Sequence, residues 1–133
     1  MKKDSILVFP GGYECGIEII ESLKDKKDLK IFSANSLKRD VANFLDIKNF
    51  KLPNIRNKNF LSKLNKLLLK NRIKYIYPSH PEIINFFNFN RKKIKAFVLL
   101  GATKTLNILE YKKKYLKLFN KESFYIKQYS DLE

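Results

Sequence analysis

The sequence predicts an α/β protein with a doubly wound, three-layer parallel sheet of about five strands. Short apolar runs alternate with amphipathic runs, short polar joints connect them, and the first apolar run breaks at two glycines before a helix. The chain has 133 residues, and its 44% hydrophobic content with only four Gly and four Pro favours one packed core. We therefore expect five successive strand–helix units joined by right-handed crossovers.

Each strand is expected where apolar, β-branched or aromatic residues lie between turn residues. The predicted strands are 5–9, 29–33, 50–52, 74–77 and 95–100. The predicted helices are 14–24, 37–45, 58–71, 81–89 and 105–119. The strongest helical pattern lies in 59–71, where apolar residues recur at helical spacing beside lysines, which predicts a helix that covers the sheet.

The domain organisation predicted from these elements is simple. Residues 1–119 are expected to form one Rossmann-like domain, followed by a C-terminal tail at 120–133. No uninterrupted apolar run approaches the roughly 18 to 20 residues of a membrane span, so we expect a soluble cytoplasmic protein without a membrane partner. One cysteine cannot form an internal disulfide, which suits a reducing compartment.

The formal net charge of +15 is unevenly distributed. Residues 1–35 carry six Lys against six acids, so the whole excess lies in 36–133. Of the 28 basic residues only four are Arg, whereas proteins that read phosphates and bases usually favour the bidentate guanidinium. The composition therefore favours a solvated Lys-rich surface over a nucleic-acid partner, and a groove for a polyanion stays an alternative.

The expected strand order, 3-2-1-4-5, reverses between the first and fourth strands. Ligands of such folds bind at this switch point, outside the carboxyl ends of the strands. The loops 10–16 and 78–82 would then face each other. Both loops precede helices, whose free N–H groups suit an anionic ligand.

The glycine loop does not match the common nucleotide-binding motifs. Counted from Gly11, the dinucleotide fingerprint has Tyr13 in place of its middle glycine, and the second strand ends without an acid for a ribose. A phosphate-binding P-loop would need Lys and Ser or Thr where Ile17 and Glu18 stand. Neither a nicotinamide cofactor nor a P-loop nucleotide is expected here.

Three side chains near these loops have two possible roles each. His80 either ends a turn or makes a hydrogen-bonding contact with a ligand at the start of a helix. Glu82 either stabilises the first turn of that helix or binds a substrate amine. Cys15 lacks a second cysteine or a neighbouring base, so we expect a small buried filler and no catalytic thiol. No cluster of His, Cys, Asp and Glu has metal-ligand spacing.

The order of several segments resembles the N-terminal preATP-grasp domain of ATP-grasp enzymes, including the carbamoyl-phosphate synthase large-subunit-like group. These segments are the Gly-Gly loop at 10–16, Phe50-Lys-Leu-Pro53, Tyr75-Ile-Tyr-Pro-Ser79 with Glu82, and Phe97-Val-Leu-Leu-Gly101. The resemblance runs from about residue 6 to 119. In its last part, Tyr111 stands where the family usually has Asp before a lysine, here Lys112, which leaves the role of this pair open.

The resemblance implies a part of an ATP-dependent carboxylate–amine or related ligase. ATP and Mg²⁺ would be bound mainly by a further ATP-binding domain that this chain lacks, so the chain alone would contain no catalytic residue and no tightly bound cofactor. Lys112 is a candidate for cofactor contact. The chain would form one wall of the acceptor-substrate site. The residues implied for that wall are Gly11, Gly12, Tyr13 and Glu14, with Ser79, His80 and Glu82 opposite.

Two other functions remain open from the sequence. One is a stand-alone α/β module that binds a small molecule without catalysis, and the other is a basic nucleic-acid-binding domain. Apolar residues of the last predicted helix, such as Leu116 and Phe119, would pack on the further domain or, where left bare, promote a homodimer.

Overall fold

The sheet of this protein has five parallel strands in the order β3-β2-β1-β4-β5. A computed structural model describes residues 3–37 and 40–109. The strands are β1 (Asp4–Phe9), β2 (Leu29–Asn35), β3 (Lys48–Lys51), β4 (Tyr75–Pro78) and β5 (Phe97–Val98). The order 3-2-1-4-5 and the parallel orientation predicted from the alternating pattern are confirmed.

The helices follow the strands in sequence. They are α1 (Glu14–Leu23), α2 (Phe60–Lys70), α3 (Pro81–Asn90) and α4 (Thr103–Leu109), with short 3₁₀ helices at Val41–Phe44 and Arg91–Lys93. Within the part of the chain that the structure describes, no helix has the length and apolarity to cross a membrane. The chain divides after Leu100 into two compact units, and the first contains the whole sheet.

The two faces of the sheet pack against different helices. Leu7 and Phe9 of β1 belong to the main apolar cluster, which also contains the buried residues of α2 and α3. Because side chains alternate along a strand, Ile6 and Val8 point to the opposite face, and α1 contacts β1 and β2 there. This arrangement confirms the three-layer α/β architecture.

An aromatic cluster fills the core below the carboxyl ends of the strands. The ring of Phe9 lies 5.6 Å from that of Phe60 and 5.9 Å from that of Phe87, measured between centroids. Leu64 and Leu68 extend the buried stripe of α2, as the helical spacing of this segment predicts. Since Phe9 is the last residue of β1, this rigid core directly supports the loop that follows it.

The helix predicted at 37–45 is wrong. Among the described residues of this range, 37 and 40–45, the structure has only the 3₁₀ helix Val41–Phe44, and the side chain of Asp40 caps it by accepting a hydrogen bond from the Ala42 N–H at 3.0 Å. Ala42 is buried, but Val41 is 54% exposed and Phe44 is 90% exposed, so the segment lacks the broad apolar face of an α-helix that packs on a sheet. An Asp that caps a helix also starts it, which prevents a helix from running through residue 40.

The end of the described chain differs from prediction in its boundaries. Of the strand predicted at 95–100, the structure has Phe97–Val98. The Leu99 N–H still donates to the Ile76 carbonyl oxygen at 2.8 Å, and the strand ends there because the Leu100 N–H turns back to the Val98 carbonyl oxygen. The helix predicted from residue 105 begins at Thr103. The predicted helix beyond 109, the tail at 120–133 and the candidates Lys112, Leu116 and Phe119 lie outside the described residues.

Candidate functional site

A cleft of about 70 Å³ lies at the carboxyl ends of four neighbouring strands. Its walls come from the loops after β1, β2, β3 and β4, so it occupies the switch point where the strand order reverses. The lining residues are Phe9, Pro10, Tyr13, Asn35, Ser36, Asn54, Ile55, His80, Glu82 and Ile83. The predicted candidates Tyr13, His80 and Glu82 are therefore brought together.

Tyr13 and His80 connect the two main loops across the cleft. Tyr13 is the N-cap residue of α1, and His80 is the N-cap residue of α3. Their ring centroids are 5.4 Å apart with an interplanar angle of 46°. The loops after β1 and β4 thus face each other, as the strand order predicts, and two aromatic rings form one edge of the cleft.

One ring nitrogen of His80 accepts a hydrogen bond from the helix that follows it, and the other is available for further contacts. Its Nδ1 accepts a hydrogen bond from the Glu82 backbone N–H at 3.3 Å, which caps α3. A nitrogen that accepts a hydrogen bond carries no proton, so the proton of the neutral ring is on Nε2. The turn-ending role is therefore present, and an N–H donor remains on the same side chain.

Glu82 forms an ion pair at the mouth of the cleft. Its Oε1 accepts a hydrogen bond from the Arg56 guanidinium at 3.1 Å, and both side chains are exposed. An exposed pair of this kind contributes little to stability and is screened by salt. The carboxylate is thus balanced by a cation from the loop between β3 and α2.

Ser79 supports the cleft from behind and does not line it. Its hydroxyl donates to the Pro10 carbonyl oxygen at 2.6 Å, and its backbone N–H donates to the Phe9 carbonyl oxygen at 3.0 Å. Both bonds attach the start of the β4–α3 loop to the start of the β1–α1 loop. The hydroxyl of this candidate is therefore engaged in holding the two loops together.

Gly11 and Gly12 also lie behind the lining, where they pack on a buried polar cluster. A Cβ atom on Gly11 would lie 2.1 Å from Ser33 Oγ, and one on Gly12 would lie 1.6 Å from Asp40 Oδ1. Asn49 bridges these partners, because it donates to Asp40 Oδ2 at 2.9 Å and accepts from Ser33 Oγ at 2.7 Å. The two glycines are needed here for close approach of the backbone.

The first turn of α1 contains two further candidates, both of them exposed. Glu14 begins the helix and does not line the cleft. Cys15 is an exposed free thiol, which corrects the prediction of a buried filler. The buried position of this turn belongs to Gly16, where a Cβ atom would lie 2.3 Å from the Pro10 carbonyl oxygen. Cys15 is thereby turned to the solvent side of the helix.

Asn35 is a cleft residue that the sequence analysis did not select. Its Oδ1 accepts from the backbone N–H groups of Ser36 at 2.7 Å and Leu37 at 3.3 Å. Its Nδ2 is buried and has no hydrogen-bond partner among the described residues. The signal that could have identified Asn35 from the sequence was its position at the end of β2, where dinucleotide-binding sites have an acidic residue.

Asn54 and Ile55 are further lining residues that the sequence analysis did not select. They follow β3 in the loop before α2, and Asn54 Oδ1 accepts from the Arg56 backbone N–H at 2.9 Å. Their signal was position alone, since loops at the carboxyl edge of a parallel sheet line its ligand crevice.

Together, the sheet order and the cleft define a Rossmann-like α/β protein with a candidate ligand site at the switch point. No protein-family model and no curated protein sequence matches the chain. The described residues contain no group of three or more His, Cys, Asp or Glu side chains placed to hold a metal ion.

Proposed function

We propose that this chain is the substrate-side domain, of preATP-grasp type, of an ATP-dependent ligase. The observation that carries the proposal is the position of the cleft, between the β1–α1 and β4–α3 loops of a 3-2-1-4-5 sheet. Tyr13, His80 and Glu82, which the resemblance implies for the acceptor wall, all line it. The cleft is small and partly apolar, which suits a small-molecule acceptor.

In this proposal the chain binds and orients the acceptor. ATP, held with Mg²⁺ mainly by a further domain, supplies the phosphoryl group that activates a carboxylic acid. Tyr13 and His80 contact the acceptor from two sides, and the aromatic core below Phe9 keeps both loops in place. None of the described residues is assigned to ATP.

The experiment that tests the ligase assignment begins with the native coding sequence after the codon for Glu133. We expect it to continue for about one or two domain lengths and to encode a glycine loop with lysine and late paired acids. The full-length protein should then form ADP in the presence of an amine and a carboxylic acid. A stop codon directly after Glu133 would overturn the assignment.

Kinetics of the full-length protein then test the role of the cleft. We expect Tyr13→Ala to raise the KM for the acceptor and to leave the KM for ATP unchanged, because Tyr13 lines the cleft. Leu69→Ala, at an exposed position of α2, is the control and should change neither constant. An increase in the KM for ATP alone would contradict the placement of the acceptor.

A second candidate function is a stand-alone module that binds a small ligand without catalysis. Asn35 Nδ2 favours it, because this buried atom of a cleft-lining residue has no partner among the described residues, and a bound ligand would satisfy it. In that case the coding sequence ends at Glu133 and the purified chain binds a metabolite with no other domain present. His80→Ala would weaken that binding, and unchanged affinity would count against this candidate.

A further inference from the structure

Three of the six polar side chains that line the cleft, Asn35, Asn54 and His80, have one hydrogen-bonding feature in common. On Asn35, Asn54 and His80, the acceptor atom already receives a backbone N–H, from Ser36, Arg56 and Glu82 at 2.7, 2.9 and 3.3 Å. What remains on each side chain is its N–H: Nδ2 on the two amides and Nε2 on the neutral imidazole. These three residues therefore offer donors to the cleft, and their complement is a ligand with acceptor atoms.

Asn35 gives the strongest evidence that such a ligand belongs here. The residue is 3% exposed, and its Nδ2 has no partner among residues 3–37 and 40–109. Asn35 lines the cleft, and this nitrogen lies beside Gly12, at 3.0 Å from the position of a Cβ on that glycine. A buried amide N–H without an acceptor is unfavourable, so a ligand oxygen that reaches it removes that penalty.

The charges around the cleft decide which acceptor fits. No Lys or Arg is found among the described lining residues, and Arg56 at the mouth is paired with Glu82. The carboxylate of Asp40 lies directly behind Gly12. Because Arg56 balances Glu82, the described lining leaves no cation to attract a phosphate or a carboxylate ligand, and the Asp40 carboxylate disfavours one. A carbonyl oxygen accepts these hydrogen bonds without a charge.

We propose that the cleft binds a small neutral molecule of the amide or ureide class through its carbonyl oxygen. Asn35, Asn54 and His80 supply the N–H donors, and Phe9, Ile55 and Ile83 form the apolar wall. This inference rests on the proposed function, since it names the chemical class of the acceptor. Binding can nevertheless be measured without any ligase activity.

The test is a titration of the ¹⁵N-labelled chain, followed by NMR, with propionamide, propionate and inorganic phosphate at equal ionic strength. Propionamide and propionate match in size and differ in charge. We expect propionamide to shift the backbone resonances of Tyr13, Ser36 and Glu82, and the two anions to bind at least about tenfold more weakly. No shift with propionamide, or equal or tighter binding of either anion, would overturn the proposal.

Two variants test the donors while the local turns are kept. Asn54→Asp retains the oxygen that accepts from Arg56 N and loses the amide N–H, and His80→Asp likewise retains a helix-capping oxygen and loses the ring N–H. Each should weaken propionamide binding by about three- to tenfold. Asn57→Asp is the matched control: its oxygen accepts from Asn59 N at 2.9 Å, but it does not line the cleft.

The outcomes separate this inference from the ligase assignment. Unchanged affinity in Asn54→Asp and His80→Asp, with NMR spectra showing a folded chain, would overturn the donor assignment. A coding sequence that ends at Glu133 would overturn the ligase assignment but would not affect the binding of propionamide. If the full-length protein has ligase activity but does not bind propionamide, the ligase assignment stands and the amide or ureide class of the ligand is overturned.

Discussion

Ser79 and Pro10 are 69 positions apart in the chain, and the Ser79 hydroxyl donates a hydrogen bond of 2.6 Å to the Pro10 carbonyl oxygen. The bond connects the loop after β4 to the loop after β1, next to the Phe9–Ser79 backbone bond of 3.0 Å. These two loops contain Tyr13 and His80, which face each other across the cleft. The width of the cleft therefore depends on a side chain that does not line it.

The first prediction concerns this bond. Ser79→Ala leaves the Pro10 carbonyl oxygen without the hydroxyl, so we expect the free energy of unfolding to fall by about 1–3 kcal/mol. Urea denaturation followed by circular dichroism measures the change. Ser62→Ala, at an exposed position of α2, is the control and should change stability by less than about 0.5 kcal/mol. Equal effects of the two substitutions would contradict the role of the bond.

The second prediction uses two glycines in contrasting surroundings. A Cβ on Gly12 would lie 1.6 Å from Asp40 Oδ1, and the carboxylate is held in place by bonds to Ala42 N and Asn49 Nδ2. Gly12→Ala should therefore destabilise the chain by about 1–3 kcal/mol through overpacking. A Cβ on Gly101 would meet no atom of the described residues within 4 Å, so Gly101→Ala should be close to neutral. Thermal unfolding of both variants measures these effects. A Gly12→Ala variant as stable as the wild type would contradict the close packing.

Much of the fold follows from short-range patterns in the sequence. The apolar spacing of 59–71 predicts α2, and the alternation of strands with helices predicts parallel order and the switch point. The site was predictable to the level of its loops, since Tyr13, His80 and Glu82 follow strands that the switch-point rule brings together.

The missed features depend on contacts between distant residues. Asp40 appears in a segment with helical composition, but its partner Asn49 belongs to the next strand, and this pairing favours a cap over a longer helix. In the sequence, Asn35 looks like any other polar residue at the end of a strand. Only the packed loop shows that its Oδ1 accepts from neighbouring N–H groups while its Nδ2 has no partner among the described residues. Tertiary packing decides which of these hydrogen bonds form, so local sequence patterns do not predict them.

The third prediction concerns the end of α2. Arg72 has a φ of 53°, in the left-handed region, and the bonds Arg72 N to Leu69 O and Ile73 N to Leu68 O form a Schellman motif. Glycine is usual at this position because an L side chain is strained there. We expect Arg72→Gly to raise the free energy of unfolding by about 0.5–1 kcal/mol.

Chemical denaturation of Arg72→Gly and Arg72→Ala separates conformation from charge. Both variants lose the guanidinium, but only glycine relieves the backbone strain, so Arg72→Ala should not gain stability. The Ser5 hydroxyl donates to the Arg72 carbonyl oxygen at 2.6 Å, and this bond is available to either variant. Equal stability of the two variants would contradict the strain argument.

The fourth prediction concerns pH and the ion pair between Lys74 and Asp4. The hydrogen bond from the Lys74 ammonium to the Asp4 carboxylate, with the attraction between their charges, raises the pKa of Lys74 above its ordinary value of 10.5. A raised pKa in the folded state means that the pair contributes its stability fully below pH 10.5. The contribution is lost as the pH rises through the folded value, and it is small because both side chains are exposed.

NMR titration of the lysine side chains of the folded chain measures this pKa directly. Asp4→Asn removes the negative charge, so the pKa of Lys74 should return towards 10.5. Lys24 is the internal control, because the hydrogen bond and charge of Glu21 raise its pKa and the substitution leaves Glu21 in place. Added salt should reduce the difference between wild type and variant, since it screens exposed charges. A Lys74 pKa that is the same in both proteins would show that the pair does not form in solution.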